Sequence, residues 1–118
     1  MANATPNGIL KLARTLADVE AAKLDFEQGE GKAWVSSARD DLLSKRPELK
    51  LDSDGDAIST FSPASTPNTD LGVDERFTHV MALFVASAAL RHKNTGVGKD
   101  RNAALDLLRE YEAKVYAV

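Results

Sequence analysis

DERFTHVMALFVASAAL, residues Asp74 to Leu90, sets the terms for the rest of the chain. Asp74 and Glu75 in its first turn suit the positive end of a helix dipole, and Arg91, His92 and Lys93 just past it suit the negative end. Between them Phe77, Val80, Met81, Leu83, Phe84, Val85 and Leu90 cover every side, so no stripe is left for water and the helix must be surrounded by protein. The apolar run from Val80 to Leu90 is about half of the ~20 residues that a membrane span needs. It reads as a central pillar of a core, expected over about residues 74–92.

Working outward, the turn NTGVGKD follows, with Gly96 and Gly98 ending one helix and letting the next begin. Ala104, Leu107, Leu108, Tyr111 and Val115 then carry the helical period, which predicts a last helix over about 100–116. Upstream of the pillar, Asp52 to Thr69 holds Gly55, Pro63 and Pro67 among small polar residues, with Ile58 and Phe61 as the large apolar anchors. That composition predicts a long loop, about 50–72, and loops of such length are usually functional or disordered. Short strands around Leu49 to Leu51 and Ala57 to Phe61, flanking the Asp54-Gly55 turn, would make it a small hairpin.

Before the loop, Trp34, Val35, Ala38, Leu42 and Leu43 line one face, and Pro47 stops the helix by disfavouring helical geometry at Arg46. A second helix is expected over about 25–45, its start either at Asp25 or, because Gly29 and Gly31 weaken the signal, at Lys32. Thr5 can cap a first helix that Pro6 opens, and Ile9, Leu12, Ala13, Leu16 and Val19 continue it to about residue 19. The fold class is mostly α, a four-helix bundle-like single domain over residues 1–118 with a long loop or small hairpin between helices 2 and 3. Its expected core includes Leu12, Leu16, Trp34, Leu42, Phe77, Val80, Met81, Phe84 and Leu108.

Composition agrees. A chain of 118 residues can bury a core without staples, and 6% aromatic residues with abundant Ala and Leu suit helices better than a sandwich. With no cysteine there is no disulfide, thiol nucleophile or thiolate metal site. The formal net charge of -3 argues against binding nucleic acid by overall charge. The opening MANATPNG has neither a basic nor an apolar region, so no secretion signal is expected there.

Motifs that carry chemistry fall short. GVGKD lacks the earlier Gly and following Ser or Thr of a phosphate loop, because Lys93 and Asp100 occupy those places. Asp52, Asp54 and Asp56 in DSDGD alternate like the start of a calcium loop, but Gly55 is fourth rather than sixth and Pro63 stands where the closing Glu belongs. His79 and His92 belong to no HExxH arrangement, and no nucleophile, base and orienting acid assemble by local spacing. No catalytic, metal or cofactor residue is expected. Arg91, His92, Lys93, Lys99 and Arg101 gather around one turn, chiefly as cations at a helix C-terminus. Trp34 is either core or a contact anchor.

The order of these features is similar to a known family. LARTLAD, then WVSSARDDLLSKRPE from Trp34 to Glu48, a polar loop with DSDGD, DERF opening an Ala-rich helix and a last helix ending EYEAKVY resemble the head-to-tail connector or adaptor proteins of tailed bacteriophages. The resemblance covers about residues 9–116. It implies a virion protein without enzymatic activity, made in the host cytoplasm and placed in the neck. There it would form a homo-oligomeric ring, commonly of twelve copies in that family, between the portal protein and the tail or nozzle proteins. DNA would pass through the channel without sequence-specific binding, and no membrane or cofactor is implied.

On this reading the loop, with Asp52, Asp54, Asp56, Ile58 and Phe61, is expected at a subunit or tail interface, and Tyr111, Val115 and Tyr116 at the portal. The alternatives are another small neck or tail-completion protein, or a small helical DNA-binding regulator. The regulator needs a basic recognition helix after a short turn, whereas the second helix is mixed in charge and runs into the long loop.

Overall fold

A computed structural model describes residues 3–17, 31–52, 54–58, 67–93 and 98–118. They form four α-helices: α1 (Pro6–Ala17), α2 (Gly31–Lys45), α3 (Thr78–Lys93) and α4 (Gly98–Lys114). Among the described residues there is no strand, only two isolated antiparallel bridges, Asn3 with Asp74 and Leu51 with Ala57. The mostly helical bundle is as expected. The last two positions predicted for the first helix and the predicted start of the second, residues 25–30, lie outside the described residues.

α3 is the centre. Val80, Met81, Ala82, Leu83, Val85 and Ala86 are at most 1% exposed, and α3 packs against α1, α2 and α4. Ser87 Oγ, itself buried, donates to the Ala104 carbonyl at 2.8 Å, and the Phe84 and Tyr111 rings meet edge to face at 5.4 Å. Later residues of α3 therefore meet earlier residues of α4, so the two helices are antiparallel. α2 is antiparallel to α3 as well, with Arg46 just past its end over the Phe77 ring and Trp34 near its start beside Ala88 and Arg91. It follows that α2 and α4 flank α3 in parallel.

Local chemistry sets the boundaries. Thr5 Oγ1 accepts from the Gly8 N–H at 3.2 Å, satisfying an orphan donor where Pro6 opens α1. α2 stops at Lys45, and Pro47 begins a short 3-10 turn, Pro47–Lys50, with Arg46 held out of helical geometry at φ -125°, ψ 70°. The pillar helix does not begin at Asp74. Asp74 is extended, and its carboxylate accepts the Arg76 N–H at 2.9 Å to cap a 3-10 turn, Glu75–Phe77, that runs on into α3 at Thr78. A side chain bonded to its own backbone two residues on competes with the α-helical ladder.

The expected core is only partly the observed one. Leu42, Phe77, Val80 and Met81 are buried, whereas Leu12, Leu16, Trp34, Phe84 and Leu108 are half-buried and pack against the core from its edge. In α1 the buried positions are Pro6, Ile9, Leu10, Ala13 and Ala17. The segment before α3 supplies core that looked like loop, for Leu71 and Val73 are buried. Residue 4 holds them through Ala4 N–H to Val73 O at 2.7 Å and Leu71 N–H to Ala4 O at 3.1 Å.

Gly72 sits in that segment at φ +77°, and a Cβ there would lie 2.8 Å from the Ile58 Cβ. Gly72→Ala should therefore cost about 1–2 kcal/mol from the left-handed backbone alone, and more from the contact. Gly55→Ala, at φ +84° in open space, carries the strain without the contact. Urea unfolding that finds the two variants equally stable would contradict the close approach.

Candidate functional site

The polar side chains nearest the core act as ties. Tyr111, fully buried, donates its hydroxyl to Asp41 Oδ2 at 2.6 Å. Lys45 donates to the same oxygen at 2.8 Å, and its ammonium lies 5.7 Å from the Tyr111 ring centroid. Burial pushes the Asp41 carboxyl up, but the bonds from Lys45 and Tyr111 and the Lys45 charge outweigh it and hold the carboxyl below its usual range. Burial, then the Asp41 bond and charge, raise the Tyr111 phenol above its ordinary value. A phenol held protonated against a carboxylate is a donor, so the cluster clasps α2 to α4.

Arg46 closes the same end. It bonds Glu48 at 2.7 Å and donates through Nη1 to the carbonyls of Val115 and Val118, each at 2.9 Å. Its guanidinium and that of Arg76 both stack near the Phe77 ring, at 5.6 and 5.1 Å. Both acceptors lie beyond Lys114, the last residue of α4, so Arg46 pins the segment that follows the helix.

These ties correct the expected portal surface. Tyr111 and Val115 are core residues at 0% exposure, and of the three only Tyr116, at 63%, is at the surface. The period Ala104, Tyr111, Val115 points inward because α2 and Arg46 cover the end of α4, which nearness to the last residue does not reveal.

In the loop, Asp52 Oδ1 accepts the N–H groups of Asp54 and Asp56 at 2.9 and 3.0 Å. Asp52 N–H reaches Asp56 O at 2.8 Å, and Ile58 N–H reaches Lys50 O at 3.0 Å. Among the described residues the result is a tight reversal with one bridge, Leu51 with Ala57, and the rest of the expected second strand, residues 59–61, lies outside them. The Asp52 carboxylate is used in folding the turn, and among the described residues no group of three or more His, Cys, Asp or Glu could hold a metal ion. Asp52, Asp54 and Asp56 are exposed and Ile58 is half-buried. Phe61 lies outside the described residues. Beside the turn, Leu49, Leu51, Asp52, Val73, Arg76 and Phe77 help line a hollow of about 510 Å³.

A second concavity, about 450 Å³, lies between α2 and α3 and is lined by Trp34, Ser37, Phe84, Ala88 and Arg91. Here the pillar is not wholly covered. Phe84, Ala88 and Arg91 recur at steps of four and three, so they form one line on α3, and Trp34 lies beside them. That line was present in the sequence, but an all-apolar helix offers no contrast by which to pick the side left open. Elsewhere among the described residues the exposed large apolar side chains are Leu51, Leu105, Tyr116 and Val118.

No protein-family model matches the chain, and neither a curated protein nor a solved structure matches it.

Proposed function

We propose that this chain is a structural protein of a tailed-phage virion, a head-to-tail adaptor whose copies form a ring between the portal and the tail with DNA passing through the middle. One observation carries the reading beyond the sequence resemblance. The polar side chains nearest the core are spent on holding helices together, while apolar surface is left at the Trp34 and Phe84 groove and at Leu51, Leu105, Tyr116 and Val118. Surface of that kind suits contact with other protein chains. The outer side of α4 carries Arg101 and Arg109 among Asp106 and Glu112, a mixed set that does not favour the regulator alternative.

Ring subunits meet through two different surfaces that close by rotation. Native mass spectrometry of the chain mixed with the portal protein encoded beside it should give a portal complex carrying about twelve added copies, one closed ring. A portal that remains bare would overturn the adaptor role, and binding to tail proteins instead would move the chain to tail completion.

A further inference from the structure

One line of α4 faces water along its whole length. Leu105, Arg109, Glu112 and Tyr116 are all exposed, and they follow one another at steps of four, three and four, the spacing of a seam along which two helices pack. Leu105, Glu112 and Tyr116 each come one residue after the buried Ala104, Tyr111 and Val115, so the line stands about 100° round the helix from the core. Tyr116 lies just past Lys114, but Val115 N–H still bonds the Tyr111 carbonyl and Ala117 N–H that of Lys114. The spiral of α4 therefore carries on through Tyr116, and the line holds both Leu105 and Tyr116 from among the exposed large apolar side chains.

The charges of the line are unspent. Among the described residues Glu112 makes no ion pair. Arg109 has a 3.9 Å contact with Asp106 in which both side chains are mostly in water, and such a pair is worth little.

We propose that this line docks on the same line of a second copy, α4 against α4, about a two-fold axis. The axis lies in the plane between the copies, at a right angle to α4 and level with the step from Glu110 to Tyr111. It reverses the direction of the helix, so the two copies of α4 run antiparallel. Leu105 and Tyr116 stand equally far on either side of that step, and so do Arg109 and Glu112. In this one register Leu105 meets the partner copy's Tyr116 while Arg109 meets the partner copy's Glu112, and the symmetry makes each pair occur twice. Charge selects the direction. A parallel pairing would set Arg109 beside Arg109 and Glu112 beside Glu112, like against like. One helix from each copy makes a small interface, so the dimer should form reversibly and come apart on dilution. An isologous contact closes at two copies, which makes this state separate from the ring reading.

The test is sedimentation equilibrium and native mass spectrometry of the full chain in low salt, where charge pairs are least screened. Wild type should pass from monomer to dimer as its concentration rises. Arg109→Glu and Glu112→Arg, each placing like charges together twice, should each raise the dissociation constant at least about tenfold. A mere effect of net charge would move those two in opposite directions, because the first makes an acidic chain more acidic and the second less. Mixing the two variants should give a 1:1 heterodimer, in which both charge pairs are complementary, and the double variant R109E/E112R should dimerise again. All the altered positions are exposed, and circular dichroism checks that each variant is folded. A chain still monomeric at about 1 mM, a dimer indifferent to these charges, or assembly into larger rings without a two-copy species would each overturn the proposal. The last outcome would leave the adaptor reading standing.

Discussion

Tyr111→Ala should lower the stability of the chain by about 3–5 kcal/mol, the cost of deleting a large buried side chain and leaving a cavity. The ring is fully buried and lies edge to face with Phe84, so its loss opens the seam between α3 and α4. It also removes one of two donors on Asp41 Oδ2. Tyr111→Phe isolates the hydrogen bond and should cost about 1–2 kcal/mol.

The pH dependence follows from the direction of each shift. The Asp41 carboxyl is lowered in the folded state, so its contribution is present above the ordinary carboxylate range and is lost as pH falls through the lowered value. The Tyr111 phenol is raised, so its contribution is complete below the ordinary tyrosine value and declines as pH rises beyond it. The stability difference between wild type and Tyr111→Phe, followed by urea unfolding, should be level near neutrality and shrink in strong acid. A difference that stays constant in acid would contradict the clasp.

Arg39→Ala should cost about 2–3 kcal/mol, the range for a buried hydrogen bond to a charged donor together with the acceptor left behind. Arg39 is 5% exposed and donates through Nε to the Leu71 carbonyl at 2.9 Å. Burial lowers its pKa and the charge of neighbouring Asp40 raises it. The bond ties α2 to the segment that α3 grows from. Arg39→Lys keeps a charge but not the planar donor at that point, so it should recover only part of the loss. A lysine variant as stable as wild type would show that charge alone, rather than the bond to Leu71, holds the segment.

Much of this architecture was legible because its signals are local. Thr5 and Pro6 announce α1, Pro47 ends α2 at Lys45, and a stretch as uniformly apolar as Val80 to Leu90 has to be central. What was not legible depends on residues far apart. The bridge of Asn3 with Asp74 and the burial of Leu71 and Val73 need pairing across some seventy positions, for which nothing near Leu71 gives a cue. Asp74 looked like an ordinary first-turn acid, and only its extended backbone makes it the cap of a 3-10 turn. Tyr111 and Val115 looked available as surface because they are near the end of the chain, yet Asp41 and Arg46 reach over to them. For the groove between α2 and α3 the sequence supplied the residue types, Trp34 foremost, while the side of α3 left open emerged only when α2 was in place.

The claim on which the rest depends is that α3 carries the fold, and native-state amide hydrogen exchange tests it most directly. Amides from Val80 to Ala89 should exchange only through global unfolding, with an opening free energy equal to the stability found in urea, while the amides of Asp54 to Ala57 exchange through local openings of far lower cost. Amides of α3 that exchange faster than those of α1 or α4 would contradict it.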